Sequence, residues 1–105
     1  MTKDYIFVKV VKLKGDKKKY SAVFKNSKTG RLRNVKFGAT GYSDYTIHKD
    51  PERKKLYIAR HSGMGEDWNN PLTAGYWSRW LLWNKPSYTA SLKDVKIKLK
   101  NLGYL

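Results

Sequence analysis

The chain contains no cysteine, and this absence excludes two kinds of stabilising chemistry. Without cysteine there is neither a disulfide framework nor a thiolate metal site. A chain of 105 residues is long enough to bury a hydrophobic core without such covalent support. The composition therefore predicts a single domain over residues 1–105, and it is compatible with a reducing compartment.

Long apolar runs are also missing. No stretch approaches the roughly 20 apolar residues that a membrane-spanning helix requires. The N-terminal sequence MTKDYIFVKV has a short apolar part that alternates with lysine, which is unlike a secretion signal. We therefore expect a soluble intracellular protein that is not secreted and does not bind membranes.

Acidic residues are scarce compared with basic ones. Eight Asp and Glu residues stand against 23 Lys and Arg residues, which gives a formal net charge of +15. Self-repulsion at this charge opposes the compact state, so an anionic partner is expected. Most of the excess charge lies in the first 60 residues.

Three segments in that basic half, residues 5–13, 19–25 and 31–37, are rich in β-branched and aromatic residues, and apolar residues alternate with other residues along them. Short polar turns with glycine separate them, which predicts an antiparallel meander. The first segment is apolar on both faces and is predicted to be the central strand, with Ile6, Val8 and Val10 on one face and Tyr5, Phe7 and Val11 on the other. The second and third segments each have one apolar face, formed by Tyr20, Ala22 and Phe24 and by Val35 and Phe37.

Helix signals follow the strands. Asp50-Pro51 predicts a helix from residue 51 to about 61, because aspartate is a good N-cap and proline suits the first helical position. Asn70-Pro71 predicts a second helix that runs to about residue 83 and contains three of the four tryptophans. Residues 42–49 show no period and are expected to form a structured loop.

The C-terminal segment, residues 91–102, is ambiguous. It alternates like a strand over residues 95–100, yet it also has a helical apolar stripe. Ser91 with Asp94 resembles a capping box, and Gly103 suits a helix C-cap, so a helix is favoured. The whole pattern predicts an α+β fold in which an antiparallel three-stranded meander is followed by two or three helices packed on one face.

Basic side chains from the three strands and their turns are the first candidate site. Such a patch would neutralise phosphates without reading bases, whereas the alternative is a solvated face that only confers solubility. The excess charge favours anion binding. The candidate nucleic-acid-binding residues are Lys9, Lys12, Lys19, Lys25, Lys28, Arg31, Arg33 and Lys36.

Two further groups of residues have less specific signals. Tryptophans beside Arg79 and Lys85 could stack on bases, but their helical spacing favours a place in the core.

The potential metal ligands have no recognised metal-site spacing, and Asp50 and His61 are explained more simply by helix capping and the helix dipole. No metal, cofactor or catalytic residue is predicted from this second group, which comprises Asp44, His48, Asp50, His61, Glu66 and Asp67.

Five short motifs occur together, namely GYSDYT, RH, EDW, TAG and LWNKP, in this order between residues 41 and 86. As a set they resemble a family of small basic proteins of unassigned function from giant nucleocytoplasmic large DNA viruses, over about residues 20–94. The resemblance implies a virion or genome-associated component, located in the virion or in the host nucleus or cytoplasmic virus factory. It supplies no catalytic residue.

Under this resemblance the GYSDYT loop lies against the tryptophan helix, and Arg60, His61, Glu66 and Asp67 form a polar network that fixes the connection between helices. The residues predicted to be structural are Asp44, Arg60, His61, Asp67, Trp68, Trp77, Trp80 and Trp83.

The leading functional hypothesis is sequence-tolerant binding of double-stranded DNA, in packaging or organising a viral genome. The alternative is a virion structural protein that binds an acidic protein partner. A metal-dependent nuclease is the third hypothesis, although we expect no enzymatic activity.

Overall fold

A three-stranded antiparallel sheet forms the first half of the chain in the computed structural model, which describes residues 4–105. Its strands are β1 (Tyr5–Lys12), β2 (Lys18–Asn26) and β3 (Leu32–Ala39), in the spatial order β1-β2-β3. Four helices follow, α1 (Tyr45–His48), α2 (Pro51–Ser62), α3 (Ala74–Trp77) and α4 (Tyr88–Leu102), and α3 continues as a π-helical turn over Ser78–Leu82. The predicted α+β class and meander are confirmed.

The position of β1 differs from the prediction, because β2 is central and β1 is an edge strand. Its apolar character on both faces predicts a central strand. In the structure the C-terminus covers part of its free edge, since the Phe7 amide donates a hydrogen bond to the carbonyl of Tyr104 at 2.7 Å. Protection of an edge strand by a distant segment is a tertiary effect that the local pattern does not contain.

A β-bulge at Val8 also changes which side chains of β1 lie on each face of the sheet. Phe7 pairs with Phe24, but Lys9 pairs with the next residue of β2, Val23. The extra residue brings Phe7 and Val10 to the same face of the sheet, whereas strict alternation had placed them on opposite faces. The predicted face assignments for Val10 and Val11 are therefore wrong, since Val11 pairs with Ser21 and lies on the face opposite Phe7.

The core lies between one face of the sheet and the helices that follow. Phe24 and Phe37 are fully buried on the sheet side, and Trp77 packs between the two layers, stacked on Phe37 at 5.7 Å between ring centroids. Burying aromatic side chains of this size supplies most of the hydrophobic stabilisation of a small domain. The buried core residues are Phe7, Ala22, Phe24, Val35, Phe37, Tyr76, Trp77, Leu81, Leu82, Val95 and Leu99.

The tryptophan helix begins later than predicted. Asn70 caps only a turn, in which its side chain accepts a hydrogen bond from the Leu72 amide at 3.0 Å. The helix N-cap is Thr73, whose hydroxyl accepts from the Tyr76 amide. Pro71 is held outside the helix because its carbonyl accepts a hydrogen bond from the buried indole of Trp77 at 2.7 Å. The C-terminal part is π-helical, and the Trp83 amide bonds the Ser78 carbonyl five residues back.

The other helix signals give mixed outcomes. For α2 the Asp50 cap and Pro51 start are confirmed. Residues 42–49 contain the short helix α1, capped by Asp44, where only a loop was expected. The C-terminal segment is helical as predicted and ends at Gly103, but its cap is Ser87 rather than Ser91, which is buried inside α4.

The helices differ in how tightly they pack. Unlike α4, which buries Val95 and Leu99, α2 has no buried residue. Its main aromatic contact is Tyr57, which stacks on Trp83 with ring planes 3° apart and centroids 4.4 Å apart. None of the helices within residues 4–105 is long and apolar enough to cross a membrane.

Candidate nucleic-acid interface

The face of the sheet opposite the core, which we call the outer face, carries one exposed lysine from each strand. These are Lys9, Lys25 and Lys36. The strand register defines the face, because Lys9 and Lys36 pair with Val23 and Ser21 of β2, which alternate with the core residues Ala22 and Phe24. Leu32, paired with Lys25, is 63% exposed, whereas Ser21 and Val23 in the middle of this face are buried, so the face is open to solvent at its lysines and at Leu32 but not at its centre.

Most cations of this face and its adjoining turn lack an acidic partner. Within residues 4–105, no ion pair involves Lys9, Lys25 or Arg31. Lys36 bonds Asp16 at 2.8 Å, and Lys28 in the β2–β3 turn lies 3.7 Å from Asp4. Ion pairs between side chains this exposed are weak. The outer face and turn therefore keep a large positive charge.

Three of the eight predicted residues do not belong to this surface. Lys12 pairs with Tyr20 and Arg33 pairs with Phe24, which places both on the core side of the sheet. The Arg33 guanidinium lies 5.4 Å from the centroid of the Tyr5 ring. Lys19 is only 17% exposed at its side chain and is occupied by Asp44. The expectation that all eight cations share one surface is wrong, whereas their binding role stays a prediction.

Asp44 is at the centre of a buried polar cluster at the end of the sheet. It is 2% exposed and forms an ion pair with Lys19 at 2.9 Å. Its other oxygen accepts hydrogen bonds from the amide and hydroxyl of Thr46, in the first turn of α1. The same Lys19 ammonium also donates to the Tyr42 carbonyl. This cluster fixes the 42–46 segment against β2, which agrees with the predicted structural role of Asp44.

A second polar cluster connects α2 to the tryptophan segment. Glu66 accepts a hydrogen bond from His61 at 2.8 Å and another from the Trp68 indole at 3.0 Å. Gly75 lies against the Glu66 side chain, and a Cβ there would meet it at 3.4 Å. The His61 ring in turn stacks on Tyr57 at 4.1 Å. Glu66 is therefore the central acceptor of the predicted network.

Two residues predicted for that network lie outside it. The side chain of Asp67 is exposed, and within residues 4–105 it accepts a hydrogen bond only from the Asn69 amide, at 2.9 Å. Arg60 is exposed, and among the hydrogen bonds and ion pairs of residues 4–105 none joins it to His61 or Glu66. Their placement in a structural network is wrong, which leaves Arg60 available for another role.

The tryptophans have structural partners. Trp77 is fully buried, and the indole of Trp80 donates to the Trp68 carbonyl at 2.8 Å. The Arg79 guanidinium lies 4.2 Å from the Trp80 ring centroid, and Lys98 lies at the same distance. Burial lowers the pKa of Arg79. These contacts occupy Arg79 and Trp80 in packing and agree with the structural interpretation of the tryptophans over a base-stacking platform.

Potential metal ligands do not converge in the part of the chain that the structure describes. Within residues 4–105, no three His, Asp or Glu side chains are placed to hold one metal ion. His48 accepts a hydrogen bond from the Asp50 amide at 3.0 Å, and Glu66 holds His61. The nuclease hypothesis stays a prediction, for which magnesium-dependent nicking of plasmid DNA is the direct test.

Sequence reasoning missed the alignment of three residues on α2. Arg53, Tyr57 and Arg60 line one cavity together with Tyr42. Their spacing of four and then three residues places them on one helical face, so the signal was present in the sequence. It was overlooked because Arg60 was assigned to the polar network.

Comparison of the sequence with known proteins identifies the family to which the chain belongs. The chain matches the model of a family of unknown function, DUF5754, over residues 8–61, which is just over half of its 105 residues. The matched segment contains most of the sheet, the Asp44 cluster and nearly all of α2. No curated protein and no solved structure is significantly similar to the chain. On the strength of the family match, the chain belongs to the DUF5754 family.

Proposed function

We propose that this protein binds double-stranded DNA with little sequence preference, through the outer face and the β2–β3 turn. One observation carries the proposal: Lys9 and Lys25 are exposed on the sheet face that also carries Lys36, and neither has an acidic partner within residues 4–105. Release of counterions from DNA by such a surface provides affinity without reading bases.

The dimensions of the sheet are compatible with this mode. Neighbouring strands lie about 4.8 Å apart, so β1 and β3 are separated by roughly 10 Å. The DNA major groove is about 12 Å wide and admits a two-stranded β-ribbon, so the wider three-stranded sheet would lie across the mouth of the groove rather than inside it. Lys9 and Lys36, on the two edge strands, would then lie towards the two phosphate backbones that border the groove. The contacts position the protein and leave the sequence largely unread.

The biological setting follows from the resemblance to small basic proteins of giant DNA viruses. We propose that the DNA is a large viral genome and that the protein helps to package or organise it. The net charge of +15 supports this setting. Compaction of a genome requires that many phosphates are neutralised, and a protein of 105 residues with this charge neutralises many of them for its size.

The test is the salt dependence of DNA affinity, measured by fluorescence anisotropy with a duplex of mixed sequence. If about six phosphates are neutralised, the logarithm of the association constant should fall with log salt at a slope near −5. The variant Lys9→Gln/Lys25→Gln/Arg31→Gln should lower the magnitude of the slope by roughly 3, or about one per lost contact.

A matched control has the same charge change at another place. Lys85, Lys93 and Lys100 are exposed and lie outside the sheet, and their replacement by glutamine also removes three charges. This control should keep most of the wild-type slope. Equal slopes for the two triple variants would show that net charge acts without a defined surface, and a wild-type slope near zero would remove the electrostatic mechanism.

An acidic protein partner, such as a virion structural protein, is the second candidate. The observation in its favour is the exposed Leu32 beside Lys25, since an apolar side chain within a basic face suits a protein surface better than DNA phosphates. Under this alternative Leu32→Ser should weaken a protein complex and leave DNA affinity unchanged. Bulk DNA should also compete poorly with that partner.

A further inference from the structure

A groove lies between the 42–44 segment and α2, at the end of the sheet. It consists of two cavities of about 420 Å³ and 280 Å³. Both are bordered by Tyr42, Ser43, Tyr57, Arg60 and Trp83, so they adjoin along these side chains. The eight cations predicted from the sequence contribute only Lys19 to the groove, which makes it a site separate from the outer face.

The groove has an excess of uncompensated positive charge. Lys18, Arg53 and Arg60 line it, all three are exposed, and no ion pair within residues 4–105 involves them. Its two carboxylates are already engaged, since Asp44 pairs with Lys19 and Glu66 bonds His61. The free cations therefore suit an anionic ligand that contacts them in succession.

An exposed aromatic ring lies beside these cations. Tyr42 is 74% exposed, and it is the only exposed aromatic side chain within residues 4–105. Neighbouring aromatic groups are already stacked, since the Tyr57 ring contacts both Trp83 and His61. The face of Tyr42 is thus the aromatic surface that a planar ligand can reach.

The backbone that presents Tyr42 is held in place before any ligand arrives. Its carbonyl accepts a hydrogen bond from Lys19, and its amide donates to the Ala39 carbonyl at 3.3 Å. The preceding residue, Gly41, has φ +88°, a conformation that favours glycine. A ring displayed on a fixed backbone loses little conformational entropy on binding, so its exposure is consistent with recognition.

We propose that this groove binds unpaired nucleotides of a single-stranded nucleic acid. A base stacks on Tyr42, while the phosphates that flank it lie against Arg60, Arg53 and Lys18. Stacking on an aromatic ring combined with backbone tracking by cations is the general mode of sequence-tolerant single-strand binding. A base inside a duplex cannot reach Tyr42 in this way, because both of its faces are covered by neighbouring bases.

The experiment compares a labelled oligothymidylate of about twelve nucleotides with a duplex of similar length, using Tyr42→Ala and Tyr42→Phe. Loss of one stacking contact should weaken single-strand binding by Tyr42→Ala roughly fivefold to a hundredfold. Tyr42→Phe keeps the aromatic face and should bind like the wild type. Duplex affinity should change by less than about twofold in both variants.

Arg60→Gln provides a second measurement that does not depend on the ring. It should lower the salt dependence of single-strand binding by about 0.7, the value for one phosphate on a single strand. The proposal is overturned if Tyr42→Ala binds the oligothymidylate as tightly as the wild type, or if it loses single-strand and duplex affinity equally. It is also overturned if Arg60→Gln keeps the wild-type salt dependence.

These outcomes are separable from those for the outer face. Loss of duplex binding in the Lys9/Lys25/Arg31 variant supports the outer face whatever happens at Tyr42. Tyr42 is exposed and forms no side-chain hydrogen bond within residues 4–105, so thermal melting should show that Tyr42→Ala is folded. A large drop in melting temperature would itself contradict the assignment of Tyr42 to a ligand rather than to packing.

Discussion

The two faces of the sheet are built by the same three strands but have opposite physical properties. On the core face, Ala22, Phe24 and Phe37 are fully buried against aromatic and aliphatic groups from the helices. On the outer face, Lys25 and Leu32 lie side by side in solvent. Stability and charge are thus assigned to different sides of one element, so substitutions should affect one without the other.

The largest expected effect is on the core face. Phe37→Ala removes a ring that stacks on both Trp77 and Tyr20, with centroids 5.7 Å from each. We expect a loss of about 3–5 kcal/mol in the free energy of unfolding, a large part of the total for a small domain. Leu32→Ala, on the same strand but the outer face, should change it by less than about 0.5 kcal/mol. Urea denaturation measures both, and similar losses would refute the division between faces.

The next effect concerns the place where the 42–46 segment covers the end of the sheet. Asp44→Ala removes the partner of the poorly exposed Lys19 and the cap of α1. We expect a loss of about 2–4 kcal/mol in the free energy of unfolding. One part comes from the lost helix cap, and the other from the Lys19 ammonium, which is left partly buried without an acidic partner. The control is Asp67→Ala, where an exposed carboxylate bonds only one amide, at 2.9 Å. That variant should lose about 1 kcal/mol or less, and a smaller loss for Asp44→Ala than for Asp67→Ala would contradict the structural role of the Asp44 cluster.

The strands and α2 could be predicted because their signals are local. Alternation defines β2, and Asp50 followed by Pro51 defines the start of α2. Asn70-Pro71 gave an equally good local signal and failed. The competing contacts lie within the next few residues, since the Trp77 indole donates a hydrogen bond to the Pro71 carbonyl and Thr73, three residues after Asn70, provides the helix cap. A residue that can act as an N-cap, followed by proline, does not by itself show whether the helix begins there or, as here, at the next turn.

The candidate sites show the same limit. Cations on strands predicted a basic surface, but alternation alone puts Lys9 on the face of Phe7, in the core. The bulge at Val8 is what brings Lys9 to the outer face, and nothing in the composition of β1 reveals an extra residue. The groove depends on Tyr42 and α2, which the fold brings together beside the Asp44 cluster. Residue types were therefore predictable, whereas their grouping required the fold.

A smaller effect is expected at Gly38, where Leu82 packs closely against β3. Gly38 has φ +77°, and a Cβ there would lie 2.8 Å from a Leu82 methyl group. Gly38→Ala should therefore lose about 1–2 kcal/mol for its backbone conformation and a further amount for the contact. Gly41→Ala is the control, because its φ is +88° but nothing lies within 4 Å. If thermal unfolding showed equal losses, the helix layer would not be in tight contact with β3 at this point.

The smallest effect tests the one outer-face lysine that has an acidic partner. A hydrogen bond from Lys36 at 2.8 Å, followed by one from the Lys18 amide, holds the pKa of Asp16 below its usual value of 3.8. A carboxylate with a depressed folded-state pKa stabilises the fold above its unfolded pKa, and this contribution is lost as the pH falls through the folded value. The window is therefore acidic, below about pH 4. Lys36→Gln should raise the pKa of Asp16 part of the way back, since the Lys18 amide remains, as NMR titration of the Asp16 carboxyl would show. An unchanged pKa would mean that Lys36 is not held by Asp16 and is as free for phosphate as Lys9 and Lys25.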